Sequence, residues 1–89
     1  MSDQEQSVME FPCRFPIKAM GLDCAEFHAS VMEIIQRHAP NTPREGFNHR
    51  TSNKGKYLSI TITVEATSRE QLDAIYQDLT DSAHVLMAL

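Results

Sequence analysis

The 89 residues carry a net charge of −4 and 42% apolar side chains, which describes one small domain with no room for a second core. The longest apolar runs are a few residues, far short of the roughly 20 that a membrane helix needs. The acidic surplus argues against general affinity for nucleic acid, and the polar, acidic start MSDQEQSVME lacks a signal-peptide pattern, which gives a cytoplasmic reading.

Residues 1–9 hold little to bury and read as a flexible tail, followed by a single domain over 10–89. From Arg14 to Met20, Phe15, Ile17 and Ala19 alternate with Arg14, Pro16, Lys18 and Met20. A period of two predicts a strand with one apolar face. Pro16 cannot donate to a ladder, so it fits only near the strand start or beside a short neighbour. Gly21 is expected to end this strand, with Asp23 as N-cap of a helix and Glu26 completing a capping box. Phe27, Val31, Ile34 and Ile35 follow at helical spacing. Pro40 requires the helix to stop near His38-Ala39.

Asn41 to Glu45 reads as loop, and Gly46 to Thr51 as a weaker strand carrying Phe47. Ser52-Asn53-Lys54-Gly55 reads as a type I turn, with Gly55 left-handed, closing a hairpin onto the long strand from Lys56 to about Glu65. There Leu58, Ile60, Ile62 and Val64 alternate with Tyr57, Ser59, Thr61 and Thr63. Thr67 with Glu70, or Ser68 with Gln71, caps a second helix whose stripe is Leu72, Ile75, Tyr76 and Leu79. A short strand over His84–Leu89 closes the chain.

The order βαββαβ, with two right-handed crossovers around a hairpin, predicts an α+β ferredoxin-like sandwich. It has a four-stranded antiparallel sheet with two helices on one face. Ten of the twelve acids fall in the tail, the helices or the loop after the second helix. Six of the eight bases (Arg14, Lys18, Arg44, Arg50, Lys54, Lys56) fall in or beside strands, so the sheet side is expected to be basic. Cys13 and Cys24 flank the first strand, too far apart for a disulfide, and read as reduced structural thiols.

Several residues resemble the YbeD-like proteins, a family of small bacterial domains. They are Glu10-Phe11-Pro12, Met20-Gly21, Arg37-His38-Ala39-Pro40, and Ser52, Lys54-Gly55, Tyr57 and Ser59 in the hairpin. Tyr76, Leu79, Val85, Met87 and Leu89 match as well. The resemblance covers roughly residues 9 to 89. It implies the same βαββαβ fold, similar to ACT-type regulatory domains, and no reaction.

His28 and His38 lie about 280° apart around a helix, and His49 and His84 stand alone, so no metal site and no cofactor is expected. Cys24 has no base fixed beside it, so no catalytic residue is assigned. Lys54-Gly55-Lys56-Tyr57 echoes the third-strand motif of RNA-recognition domains. Lys56, Leu58 and Thr61 stand where that motif needs aromatic rings, so the stacking platform is missing.

What remains is the sheet face turned away from the helices. Tyr57, Ser59, Thr61, Lys54, Lys56, Arg14 and Lys18 are the candidate partner-binding residues of a non-enzymatic regulatory or interaction module. The expected occupant is an acidic protein or a second copy of the chain, with no membrane partner. A second reading places a small carboxylate or amino acid at the turn Met20-Gly21-Leu22, as in an ACT-like sensing domain. A third is RNA binding through the basic hairpin.

Overall fold

The computed structural model describes residues 10–52 and 54–89. The segment expected as a tail, residues 1–9, and Asn53 of the expected turn lie outside them. The elements are β1 (Cys13–Leu22), α1 (Ala25–His38), β2 (Phe47–Thr51), β3 (Tyr57–Ala66), α2 (Arg69–Asp81) and β4 (Met87–Ala88). A single 3-10 turn at Arg44–Gly46 precedes β2. The sheet is antiparallel in the order β2-β3-β1-β4, so the two long alternating strands are central, and the fold is the ferredoxin-like βαββαβ sandwich.

Alternation decides what the sheet buries. Ile17 and Ala19 of β1 and Ile60, Ile62, Val64 and Ala66 of β3 are fully buried. They pack against Phe27, Val31 and Ile35 of α1 and Leu72, Ile75 and Leu79 of α2. This removal of apolar surface from water is the main stabilising term in so small a domain. Opposite them, Arg14, Pro16, Lys18, Tyr57 and Glu65 are exposed.

The start of α1 differs from expectation. Gly21 does not end β1: it pairs with Leu58, and Leu22 pairs with Tyr57. Gly21 is glycine for want of space. A Cβ there would sit 2.5 Å from the His84 carbonyl oxygen and 2.7 Å from Phe27 Cδ1. The N-cap is Cys24, not Asp23, and it makes no side-chain cap bond. Glu26 serves the helix start instead. The backbone N–H of Glu26, and after it the Cys24 thiol, hold its carboxyl below the ordinary range.

The start of α2 follows one of the two expected capping boxes. Ser68 Oγ accepts from Gln71 N at 3.1 Å, and Gln71 Oε1 accepts from Thr67 N at 2.7 Å. Gln71 Nε2 also donates to the His38 carbonyl at 2.7 Å, which ties the start of α2 to the end of α1. In the hairpin, Gly55 has φ +69 and its N–H donates to the Ser52 carbonyl at 2.9 Å, as the turn chemistry requires.

β4 is shorter than the six residues expected, because Val85 N–H donates back to Ser82 in a turn that occupies residues 82–85. Pairing extends slightly beyond Met87–Ala88. Leu86 N–H donates to Met20, and Lys18 and Leu89 exchange two bonds of 3.0 and 2.8 Å. Those bonds also show that Lys18 turns its N–H towards β4. Two residues earlier, Pro16 faces the same edge, past the last paired residue, where a missing donor costs no ladder bond.

Candidate functional site: the open sheet face

The register places the expected site residues in one grid. Lys18 lies opposite Thr61, and Asn48 of β2 opposite Thr61 on its other side. Met20 and Arg50 flank Ser59 in the same way. Arg14 lies opposite Glu65 at the far end. Arg50 and Asn48 were not among the sequence candidates. Their period-two spacing was the available signal, and the β2–β3 register supplied the rest.

Two shallow hollows indent this grid. One of about 390 Å³ is lined chiefly by Lys18, Asn48, Arg50, Ser59 and Thr61. The other, about 330 Å³, extends to Met20 and Tyr57. Two cations beside two hydroxyls suit a carboxylate or another anion held by charge-assisted hydrogen bonds.

The other half of the face is apolar. Among the described residues, the large apolar side chains left exposed are Leu22, Tyr57, Leu86, Met87 and Leu89. Leu22 opposes Tyr57 across β1 and β3, and Met20 opposes Met87 across β1 and β4. The sequence reading places Leu22 in a turn, as part of the alternative ligand position, and not on this face, because it ends the strand at Gly21. It missed Met87 and Leu89 because β4 had no assigned register. Tyr57 is 40% exposed, with Lys56 Nζ 5.7 Å from its ring centre. Lys54 and Lys56 are exposed in the hairpin at the margin of this patch.

The alternative ligand position is not a turn. Met20, Gly21 and Leu22 are paired strand residues, and Gly21 is packed beneath Phe27 and the His84 carbonyl. The helix N-terminus behind them is already served by Glu26. Cys13 and Cys24 are free thiols, half-buried against the core.

One further arrangement corrects the sequence reading. His49 does not stand alone: its Nε2 lies 2.8 Å from His28 Nε2, between β2 and α1. The pair lies on the helix side of the sheet, since His49 pairs with the core residue Ile60. Among the described residues no three His, Cys, Asp or Glu side chains cluster as a metal site, and no helix is long and apolar enough to cross a membrane.

Comparison with known proteins agrees with this architecture. The family described as "Protein of unknown function (DUF493)" matches residues 6–89. A UPF0250 protein of Chromobacterium violaceum is 45% identical over 89 residues, covering all of both chains. Its counterpart in Nitrosomonas europaea is 46% identical over 85 residues, covering 96% of this chain and 98% of the relative. One from Neisseria gonorrhoeae is 42% identical over 91 residues, again covering both chains fully. The solution structure of protein HP0495 from H. pylori superposes with a TM-score of 0.72 over 100% of this chain and 93% of that one. At 18% identity the likeness shows the fold alone.

Proposed function

The chain belongs to the DUF493 family, and for it we propose a non-enzymatic interaction module that docks an acidic protein on its open sheet face. The observation that carries this reading is the gathering of exposed apolar side chains on one side of the sheet, with Lys18, Arg50, Lys54 and Lys56 around them. Leu22, Tyr57, Met87 and Leu89 are exposed, and the register sets them on the same side of the sheet, whereas exposed apolar residues scattered singly need no partner. Tyr57 and Met87, with the half-buried Met20 opposite Met87, make an adaptable apolar anchor. Lys18, Arg50, Lys54 and Lys56 beside it select a partner rich in Asp and Glu and speed its approach.

Among the described residues no nucleophile, base and orienting group converge on the face, which favours binding over chemistry there. An acidic partner fits better than a second copy. Two copies meeting face to face would oppose Lys18 and Arg50 to like charges.

Affinity capture from native extract tests the reading, with two surface double variants as controls. Leu22→Ser/Met87→Ser removes the apolar anchor, and Lys18→Glu/Arg50→Glu inverts the basic one. The expected result is one acidic protein captured by the parent chain and lost by both variants, with sedimentation showing a monomeric chain alone. Capture of the same proteins by all three sinks the proposal, and so does a stable dimer that masks the face.

A further inference from the structure

The His28–His49 pair lies outside the open face and is not used by the proposed docking function. Its Nε2 atoms are 2.8 Å apart, the ring centres are 4.9 Å apart and the ring planes differ by 6°. The centre-to-centre distance is little short of the nitrogen separation plus the two ring radii. The rings therefore meet at their nitrogen edges in near-parallel planes, not face over face. Two imidazole lone-pair positions thus converge on one point between α1 and β2.

They open into a groove of about 400 Å³, whose lining includes His28, Met32, Gln36, Arg44, Phe47 and His49. Met32 stands one helical turn after His28, on the same side of α1. We propose that this groove is a copper(I) site, with His28 Nε2, His49 Nε2 and the Met32 thioether as its ligands.

The geometry asks for little movement. With metal–nitrogen bonds of about 2.0–2.1 Å, two imidazoles on a trigonal, three-ligand ion have nitrogens about 3.5 Å apart, so the pair opens by roughly 0.7 Å. Because the near-parallel rings meet at their nitrogen edges, an ion between them lies close to both ring planes, where the lone pairs point. Stacked rings could not offer this. In the free protein one ring donates its Nε2–H and the other accepts. On binding, the donor's proton moves to Nδ1 of the same ring, and both ligands stay neutral. The thioether reaches inward because Met has three rotatable side-chain bonds.

The ligand set selects the ion. Two imidazoles with a thioether are soft to intermediate donors, which favour Cu(I), and among the described residues no carboxylate lines the groove to complete a site for a harder divalent cation. The positive charge of Arg44, which lines the groove, penalises a doubly charged ion more than a singly charged one. The bound ion would join the β2 edge to α1 and stabilise the folded chain by mass action.

Competition for Cu(I) against a coloured chelator such as bicinchoninate, without oxygen, tests the site. The chain carries Cys13→Ser and Cys24→Ser so that thiolates do not compete. The expected result is withdrawal of one equivalent of Cu(I), weakened roughly tenfold or more by His28→Gln, His49→Ala or Met32→Leu. Zn(II) in the same assay is expected to bind more weakly. Failure to withdraw Cu(I), or withdrawal undiminished by His49→Ala, overturns the site. Withdrawal undiminished by Met32→Leu overturns the ligand set, as does tighter binding of Zn(II). If the thiol-free chain does not fold, NMR of the unsubstituted chain reads the same question. One equivalent of Cu(I) should shift the His28 and His49 ring protons and the Met32 methyl, and shifts confined to the cysteines overturn the proposal.

Discussion

Asp78 of α2 accepts a hydrogen bond of 2.6 Å from Nε2 of His38, the last residue of α1, and a second of 2.9 Å from Arg37. These bonds clamp the two helices together at one end. The His38 bond lowers the Asp78 pKa most, the Arg37 bond lowers it further, and desolvation opposes both in part. A carboxyl whose pKa is lowered on folding stabilises the fold above its unfolded value of about 3.9. That stability is lost as pH falls through the lower folded value. Asp78→Asn is expected to cost about 1 kcal/mol at pH 7, since the side chain is only partly shielded from solvent. It should also flatten the stability loss below pH 4. Urea denaturation of both chains across pH 2.5 to 7 checks this, and parallel acid limbs would refute it.

The two helix starts make opposite demands on their caps. Ser68 Oγ holds Gln71 N–H at 3.1 Å, whereas Asp23 lies outside α1 and the N-cap Cys24 makes no side-chain cap bond. Ser68→Ala is therefore expected to cost about 1 kcal/mol and Asp23→Ala only a few tenths. Chemical denaturation of the two single variants measures the difference. Equal losses would restore Asp23 to the role its sequence position suggested.

That contrast shows why the fold was more legible than the site. Strand alternation over Arg14–Met20 and Lys56–Glu65, the helix stop at Pro40 and the left-handed Gly55 are local signals, and each survives in the structure. Gly21 misled because glycine breaks strands and also admits close neighbours. Its true constraint comes from Phe27 and the His84 carbonyl, the latter 63 residues away (84 − 21). The His28–His49 contact likewise joins α1 to β2 across a crossover, which no spacing rule reaches. Arg50 and Met87 reach the open face only through register, and register is a property of paired strands.

Two residues of β3, Ile60 and Tyr57, separate core from surface. Ile60 is fully buried, and Ile60→Ala is expected to cost about 2–5 kcal/mol, from lost burial and the cavity left behind. Tyr57, on the opposite side of the strand and 40% exposed, should cost about 1 kcal/mol or less on truncation to alanine. Thermal and urea unfolding measure both. A Tyr57→Ala loss as large as that of Ile60→Ala would mean that the ring supports the fold, and would remove it from the docking surface.

Pro16 gives a test of how the sheet edge is kept single. Its nitrogen points to the side of β1 where β4 lies, but β4 pairing reaches only Lys18 through Leu89. The ring therefore removes a donor from an exposed edge and sacrifices no internal bond, a common way to discourage pairing with another chain. Pro16→Thr is expected to change monomer stability by less than about 1 kcal/mol while restoring an outward N–H. Self-association should then rise with concentration, read by sedimentation velocity. Ala19→Pro provides the contrast. That residue's N–H points to β3, so losing it breaks a central ladder bond and should cost about 3 kcal/mol or more. If Pro16→Thr destabilises the monomer as strongly as Ala19→Pro, the proline ring supports the strand itself and does not guard its edge.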